Sequence, residues 1–135
     1  MPDLAGLINI PFVDGGRDPE TGLDCWGLFI EVQRRYGNAV PDFTISAFDS
    51  PRIDEKVSSE SLSGEWELIP APEPGCLVAF SIDPDMPTMV QHVGTCLGDG
   101  KFIHTMKKRN SHLARLHDPY WEKKVRGFYR WAKDR

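Results

Sequence analysis

One helix followed by an antiparallel strand meander, an α+β domain, is the fold class that the sequence predicts, and three observations carry it. The chain has 135 residues, 40% of them hydrophobic and 27% charged, which suits one domain over residues 1–135. A single stretch carries apolar residues at helical period. Beyond it, Gly98-Asp99-Gly100 separates two short runs of strand-forming residues, a strong hairpin signal. A domain of this size buries roughly two thirds of its unfolded surface, enough for one core.

The opening, from Ile10 to Pro19, is dense in turn formers and reads as loop. Cys25, Leu28, Phe29, Val32 and Tyr36 then fall on one helical face. Asp24 suits the N-cap and Gly37 the position after the last turn, so the helix is expected over 25–36. Ser50-Pro51 opens a weaker second helix, with Ile53 and Val57 facing inward and Gly64 closing it. Prolines 70, 72 and 74 stiffen a connection into a strand from Leu77 to Ile82. Strands follow from Val90 to Leu97 and from Lys101 to Met106. After a polar link, Asp118-Pro119-Tyr120-Trp121 reads as a turn or helical piece, and Val125 to Trp131 as the last strand.

The net charge of −4 is unevenly placed. Residues 1–106 carry 6 Lys/Arg against 17 Asp/Glu, and residues 107–135 carry 10 against 3. The longest basic cluster is Lys107-Lys108-Arg109, too short for a nucleic-acid tract. No nucleic-acid partner is expected. No run of about 18 apolar residues exists to span a membrane, so no membrane role is expected either. No basic region followed by an apolar stretch marks a signal peptide, and cytoplasmic synthesis is the expectation. Three cysteines, Cys25, Cys76 and Cys96, fit a reducing compartment better than a disulfide framework.

Cys25 is the most informative residue. It stands at the first turn of the expected helix, where the positive end of the helix dipole stabilises a thiolate and lowers its pKa. Gly27 leaves room for another backbone or a substrate to approach. A buried inert thiol is the competing reading. A nucleophilic thiol needs a base, most often histidine. His112 and His117 lie in a polar, irregular stretch and read as surface groups, whereas His92 and His104 lie on the two hairpin strands. With a two-residue loop, residue 97 pairs with 102 and these histidines face opposite sides. With a three-residue loop, 97 pairs with 101 and 94 with 104, and both histidines share a face. In that geometry His92 serves as base and His104 as the residue that orients it. A metal site fits the same residues poorly. His92 and Cys96 are four residues apart on one strand, about 13 Å, and no close cysteine pair exists. No metal or cofactor is expected.

These residues resemble a known family. Gly22-Leu23-Asp24-Cys25-Trp26-Gly27-Leu28 is similar to the G-[FL]-D-C-S-G-[LF] nucleophile motif of the NlpC/P60 cysteine peptidases. Gly75-Cys76-Leu77-Val78 resembles their G-D-L-V strand. His92-Val93-Gly94, with Gly98 to His104, resembles their H-V-G…G-x-G-x-x-I-H hairpin. The resemblance spans roughly residues 9–131. It implies a papain-like fold and hydrolysis of peptidoglycan stem peptides beside D-Glu, with Cys25 as nucleophile, His92 as base and His104 as orienter. Asp24, Trp26 and Phe12 occupy its substrate-binding positions. Trp26 replaces the family's Ser, Phe12 stands nearest a frequent Tyr, and Cys76 replaces an Asp. Pro11 to Arg17, Asp24 to Leu28 and Gly127 to Arg130 look most like a phage or prophage tail-assembly subgroup, which implies other tail proteins as partners and a place in the virion. A tail-tip assembly protein without hydrolysis, and an amidase or acyltransferase on the same scaffold, are the alternatives.

Overall fold

The computed structural model describes residues 2–42, 53–55, 64–87 and 89–132. Helix α1, Cys25–Arg35, begins where Asp24 caps it by accepting a hydrogen bond from the Gly27 N–H at 2.8 Å. Arg34 and Arg35 occupy its last turn, where cations complement the exposed carbonyls. Tyr36 is its C-cap and Gly37 follows, within a residue of the expected 25–36.

Two short strands, β1 (Arg17–Asp18) and β2 (Gly22–Leu23), pair antiparallel just before α1. They lie in and beside a stretch expected to be loop, and two residues each is too little for a period to register. The main sheet contains β3 (Trp66–Ile69), β4 (Leu77–Phe80), β5 (His92–Gly98), β6 (Lys101–Met106), β7 (Arg109–Arg115) and β8 (Val125–Trp131). All its pairings are antiparallel, in the order β3-β8-β4-β5-β6-β7. The meander therefore runs from β4 to β7, and β8 returns to pair between β3 and β4. The short helix α2, Pro119–Glu122, makes that return, capped by Asp118.

The sheet is covered on both faces. On one side, Cys25 and Phe29 of α1 pack with Leu77, Ala79, Val93, Trp66 and Trp131. Leu28 and Val32 meet Ile103 and the N-terminal residues Leu7 and Ile10. On the other side, Val78, Phe80, Cys96 and Phe102 pack with Leu116 and Trp121. Burial of each large side chain contributes roughly 1.5–3 kcal/mol, so both layers count.

Several expectations change. The polar link is strand β7, and His112 is on it. Strand β3 was not expected at all. The strand at 77–82 ends at Phe80, and the one at 90–97 starts at His92. Residues 53–55 are helical, whereas Ser50, Pro51 and Val57 of the expected second helix lie outside the described residues.

The hairpin combines both expected loops. Asp99 and Gly100 have φ of 55° and 73°, a two-residue type I′ turn closed by Gly98 opposite Lys101. A bulge between Cys96 and Gly98 then shifts the register by one, so Cys96 opposes Phe102 and Thr95 opposes Ile103. That register puts 94 opposite 104 and both histidines on one face.

Candidate active site

Four backbone donors at the start of any α-helix lack partners within the helix. In α1 the Gly27 N–H goes to Asp24 Oδ1, and the Leu28 N–H goes to the Asp24 carbonyl at 2.9 Å. The Cys25 N–H has no hydrogen-bond partner among the described residues, so a donor remains beside the thiol.

Asp24 is buried and holds three groups. Besides Gly27, it accepts from the Gly15 N–H at 2.9 Å and from Arg17 Nη1 at 2.8 Å. Arg17 Nη1 also donates to the Gly16 carbonyl at 2.9 Å, and its Nε donates to Asp42. The carboxylate thus fastens the 14–17 turn to the helix start and faces inward.

Cys25 is buried, 8% exposed, against Val93. Burial pushes its thiol up to about 12, and the Asp24 carboxylate adds to the rise. Hydrogen bonds from the Val93 and Trp26 amides, and the Arg17 charge, oppose it. The helix start was expected to depress this pKa, but desolvation of a thiolate outweighs a partial dipole charge here.

His92 and His104 meet. His92 Nε2 lies 2.9 Å from His104 Nδ1, with both rings buried. Phe80 and Trp121 flank the His92 ring at 5.8 and 5.9 Å between centroids. Burial lowers His92 to about 3, with the His112 charge adding to the fall. His104 is lowered too, by burial first and then by His92, His112 and Arg109. Both rings are therefore neutral at ordinary pH. Among the described residues no hydrogen bond joins the Cys25 thiol to either ring. The thiol reaches β5 at the amide of Val93, the residue next to His92.

Trp26 is half-buried, stacks on Phe29 at 4.9 Å and donates Nε1–H to the Pro41 carbonyl at 3.2 Å. Phe12 bridges to Leu23, two residues before Cys25. His117 is exposed on the surface as expected. His112 is not an isolated surface group: it opposes His104 across β6 and β7, with ring centroids 4.3 Å apart. The turn at Lys107-Lys108 pairs Met106 with Arg109, which by itself would put 104 opposite 111, and a bulge between His104 and Met106 shifts the register to His112.

A cysteine at a helix N-terminus, set against an antiparallel sheet that carries a hydrogen-bonded histidine pair, defines an α+β domain of the papain-like class. The chain belongs to the NlpC/P60 family, whose model matches residues 9–130. It is 30% identical over 125 residues to the gamma-DL-glutamyl hydrolase of Bacillus subtilis strain 168. That match covers 92% of this chain and 27% of the relative, so the chain spans about a quarter of that protein's length. Among solved structures, an NlpC/P60 protein of Bacillus cereus ATCC 10987 aligns over 93% of this chain and 37% of its own, at 23% identity and TM-score 0.67. NlpC2 of Trichomonas vaginalis aligns over 93% of this chain and 43% of its own, at 22% identity and TM-score 0.66. The NlpC/p60 domain of the peptidoglycan hydrolase SagA aligns over 92% and 89%, at 21% identity and TM-score 0.58. At these identities the likeness is one of fold.

Proposed function

We propose that this protein is a thiol hydrolase that cleaves peptidoglycan stem peptides beside D-Glu, at γ-D-glutamyl–diaminopimelate-type bonds. The observation that carries the reading is the 2.9 Å contact between His92 Nε2 and His104 Nδ1, in a chain whose relatives include a gamma-DL-glutamyl hydrolase and whose structural neighbours include a domain of the peptidoglycan hydrolase SagA.

Cys25 is the nucleophile, His92 the base and His104 the residue that orients it. His92 Nδ1 takes the Sγ proton as sulfur attacks the scissile carbonyl, and the Cys25 N–H receives the developing oxyanion. The amine leaves with that proton. Water, deprotonated by His92, then hydrolyses the thioester and frees the thiol. A buried neutral pair suits this order, because the proton moves during attack. The thiol packs beside Val93 on one face of the sheet and the His92 ring stacks on Phe80 and Trp121 on the other, so attack requires the two groups to approach at the start of β5. Trp26 and Phe12 flank the incoming peptide, with Asp24 holding the turn on which they converge.

The subgroup-like segments support a place in a phage or prophage tail, with other tail proteins as partners and the virion as the route to the wall. The Cys25 thiol, pushed up to about 12 and not bonded to His92, favours a second reading, a tail-tip assembly protein that does not hydrolyse.

Incubation of purified muropeptides with the protein and its Cys25→Ala variant, followed by mass spectrometry, separates the two. Cleavage by the parent alone, with fragments that place the bond after D-Glu, is expected. Absence of cleavage across wall types, with a thiol that stays slow to alkylate, gives the assembly reading.

A further inference from the structure

His104 Nε2 is buried and has no hydrogen-bond partner. The function proposed above makes that atom matter. For His92 to accept the thiol proton on Nδ1, its Nε2 must carry hydrogen and donate to His104 Nδ1. His104 must then hold its own proton on Nε2, the orphaned atom. In the opposite tautomer, His104 Nδ1–H donates to His92 Nε2, the His92 proton sits on Nδ1, and the base has no lone pair for the thiol. A buried N–H without an acceptor favours that inactive form.

Four aromatic rings surround His104. His92 is engaged already. Phe102 and Trp121, both at 4.8 Å, offer π faces and no nitrogen lone pair. His112 is the nearest, at 4.3 Å and tilted by 58°. Its Nδ1 lies 2.8 Å from the Asn110 carbonyl, which can only accept, so Nδ1 carries the hydrogen and neutral His112 keeps its lone pair on Nε2. His112 is also half-buried, near enough to solvent to adjust its ring.

We infer that His112 is a positioning residue of this site: a turn of its ring brings its Nε2 lone pair to the His104 Nε2–H, which is unpaired in the structure, and so selects the tautomer in which His92 can act as a base. The inference rests on the reading of His92 as base, and its main test needs no substrate.

Two-bond proton–nitrogen NMR of the folded protein at neutral pH reads the tautomer of each histidine. In the parent, His92 and His104 should both be Nε2–H. His112→Phe keeps a ring on His104 and removes the lone pair, and it should move both rings toward Nδ1–H. His112→Gln restores an acceptor and should return them to Nε2–H. On a muropeptide substrate, His112→Phe should lower kcat about tenfold with KM unchanged, and His112→Gln should recover most of it. An Nδ1–H His104 in the parent overturns the inference, as do unchanged tautomers in His112→Phe or a Gln variant that behaves like Phe. Failure of the parent to hydrolyse muropeptides would count against the hydrolase reading and leave the NMR result standing by itself.

Discussion

Arg17 Nη1 lies 2.8 Å from Oδ1 of Asp24, the residue that caps α1 and precedes Cys25. The Arg17 side chain is 26% exposed and the Asp24 side chain 1%, so the acid cannot exchange this partner for water. One carboxylate thereby joins the 14–17 turn to the helix start, through the Gly15 N–H, the Arg17 guanidinium and the Gly27 N–H. A family motif position that reads from sequence as a binding residue is also a structural clamp.

Asp24→Ala removes the cap and strands the Gly15 and Gly27 N–H groups with a half-buried guanidinium. The expected loss is about 3 kcal/mol, of which the cap accounts for about 1. Asp24→Asn keeps an acceptor for Gly27 and should lose less, about 1–2 kcal/mol. Urea unfolding of the three proteins measures the order. Equal loss from both variants would assign the stability to the ion pair alone.

The Cys25 thiol should be a slow target in the free protein. Burial and the Asp24 carboxylate push it up to about 12, so the thiol is neutral throughout the physiological range. Iodoacetamide modification should accelerate about tenfold for each pH unit from 7 to 10, with no plateau. A plateau near pH 6–7 would show instead a thiolate–imidazolium pair formed before substrate arrives.

Acid should weaken the fold through the histidines. His92 is lowered from 6.5 to about 3 by burial, so the folded state binds its proton less readily than the unfolded chain does. Its contribution is complete above pH 6.5 and is lost as pH falls from there toward 3. Between pH 7 and 5 the loss is about 2 kcal/mol from His92, and His104 acts in the same direction. His92→Phe keeps a ring against Phe80 and Trp121, and its urea midpoint should fall less over that interval. An identical slope in the variant would trace the acid sensitivity to other groups.

Helix α1 was legible because its face, its cap and its stop agree, and β6 and β8 because each is an apolar-rich run between turn signals. Strand β7 was not: Arg-Asn-Ser-His-Leu-Ala-Arg has no apolar alternation. Its order comes from tertiary pairing, with β6 on one side and the N-terminal segment on the other. There Asn9 donates to the Ser111 carbonyl, and Ser111 Oγ donates to the Leu7 carbonyl. No local pattern encodes a partner a hundred residues away. The same blindness hid His112, which depends on the β6–β7 register. Likewise the thiol's pKa follows from how deeply Cys25 is buried, which helix position alone does not reveal.

Within the proposed mechanism, the three groups should differ in cost. Cys25→Ala and His92→Ala each remove an atom that bonds or transfers a proton, and should lower kcat/KM by about 10³ or more. His104→Ala leaves the base in place but unoriented, and should cost about 10–100-fold. Steady-state hydrolysis of a defined muropeptide gives the ranking. A His104 variant as inactive as the His92 variant would make His104 part of the proton transfer itself.

Gly27 sets helix propensity against packing. In an exposed helix interior, Gly→Ala gains about 1 kcal/mol. Here the Gly16 backbone crosses directly over Gly27, and a Cβ would overlap the Gly16 carbonyl oxygen, with Arg17 Nη1 at 3.3 Å. Backbone, not substrate, occupies the space this glycine leaves. The turn cannot give way cheaply, because the Gly16 carbonyl accepts from Arg17 Nη1 and the Gly15 N–H is held by Asp24. Overpacking of this kind costs about 1–3 kcal/mol, and loss of the Asp24 contacts as the turn lifts adds to it. Gly27→Ala should therefore destabilise by about 2 kcal/mol net. Urea unfolding measures the loss, and a more stable variant would show that the 14–17 turn moves aside without cost.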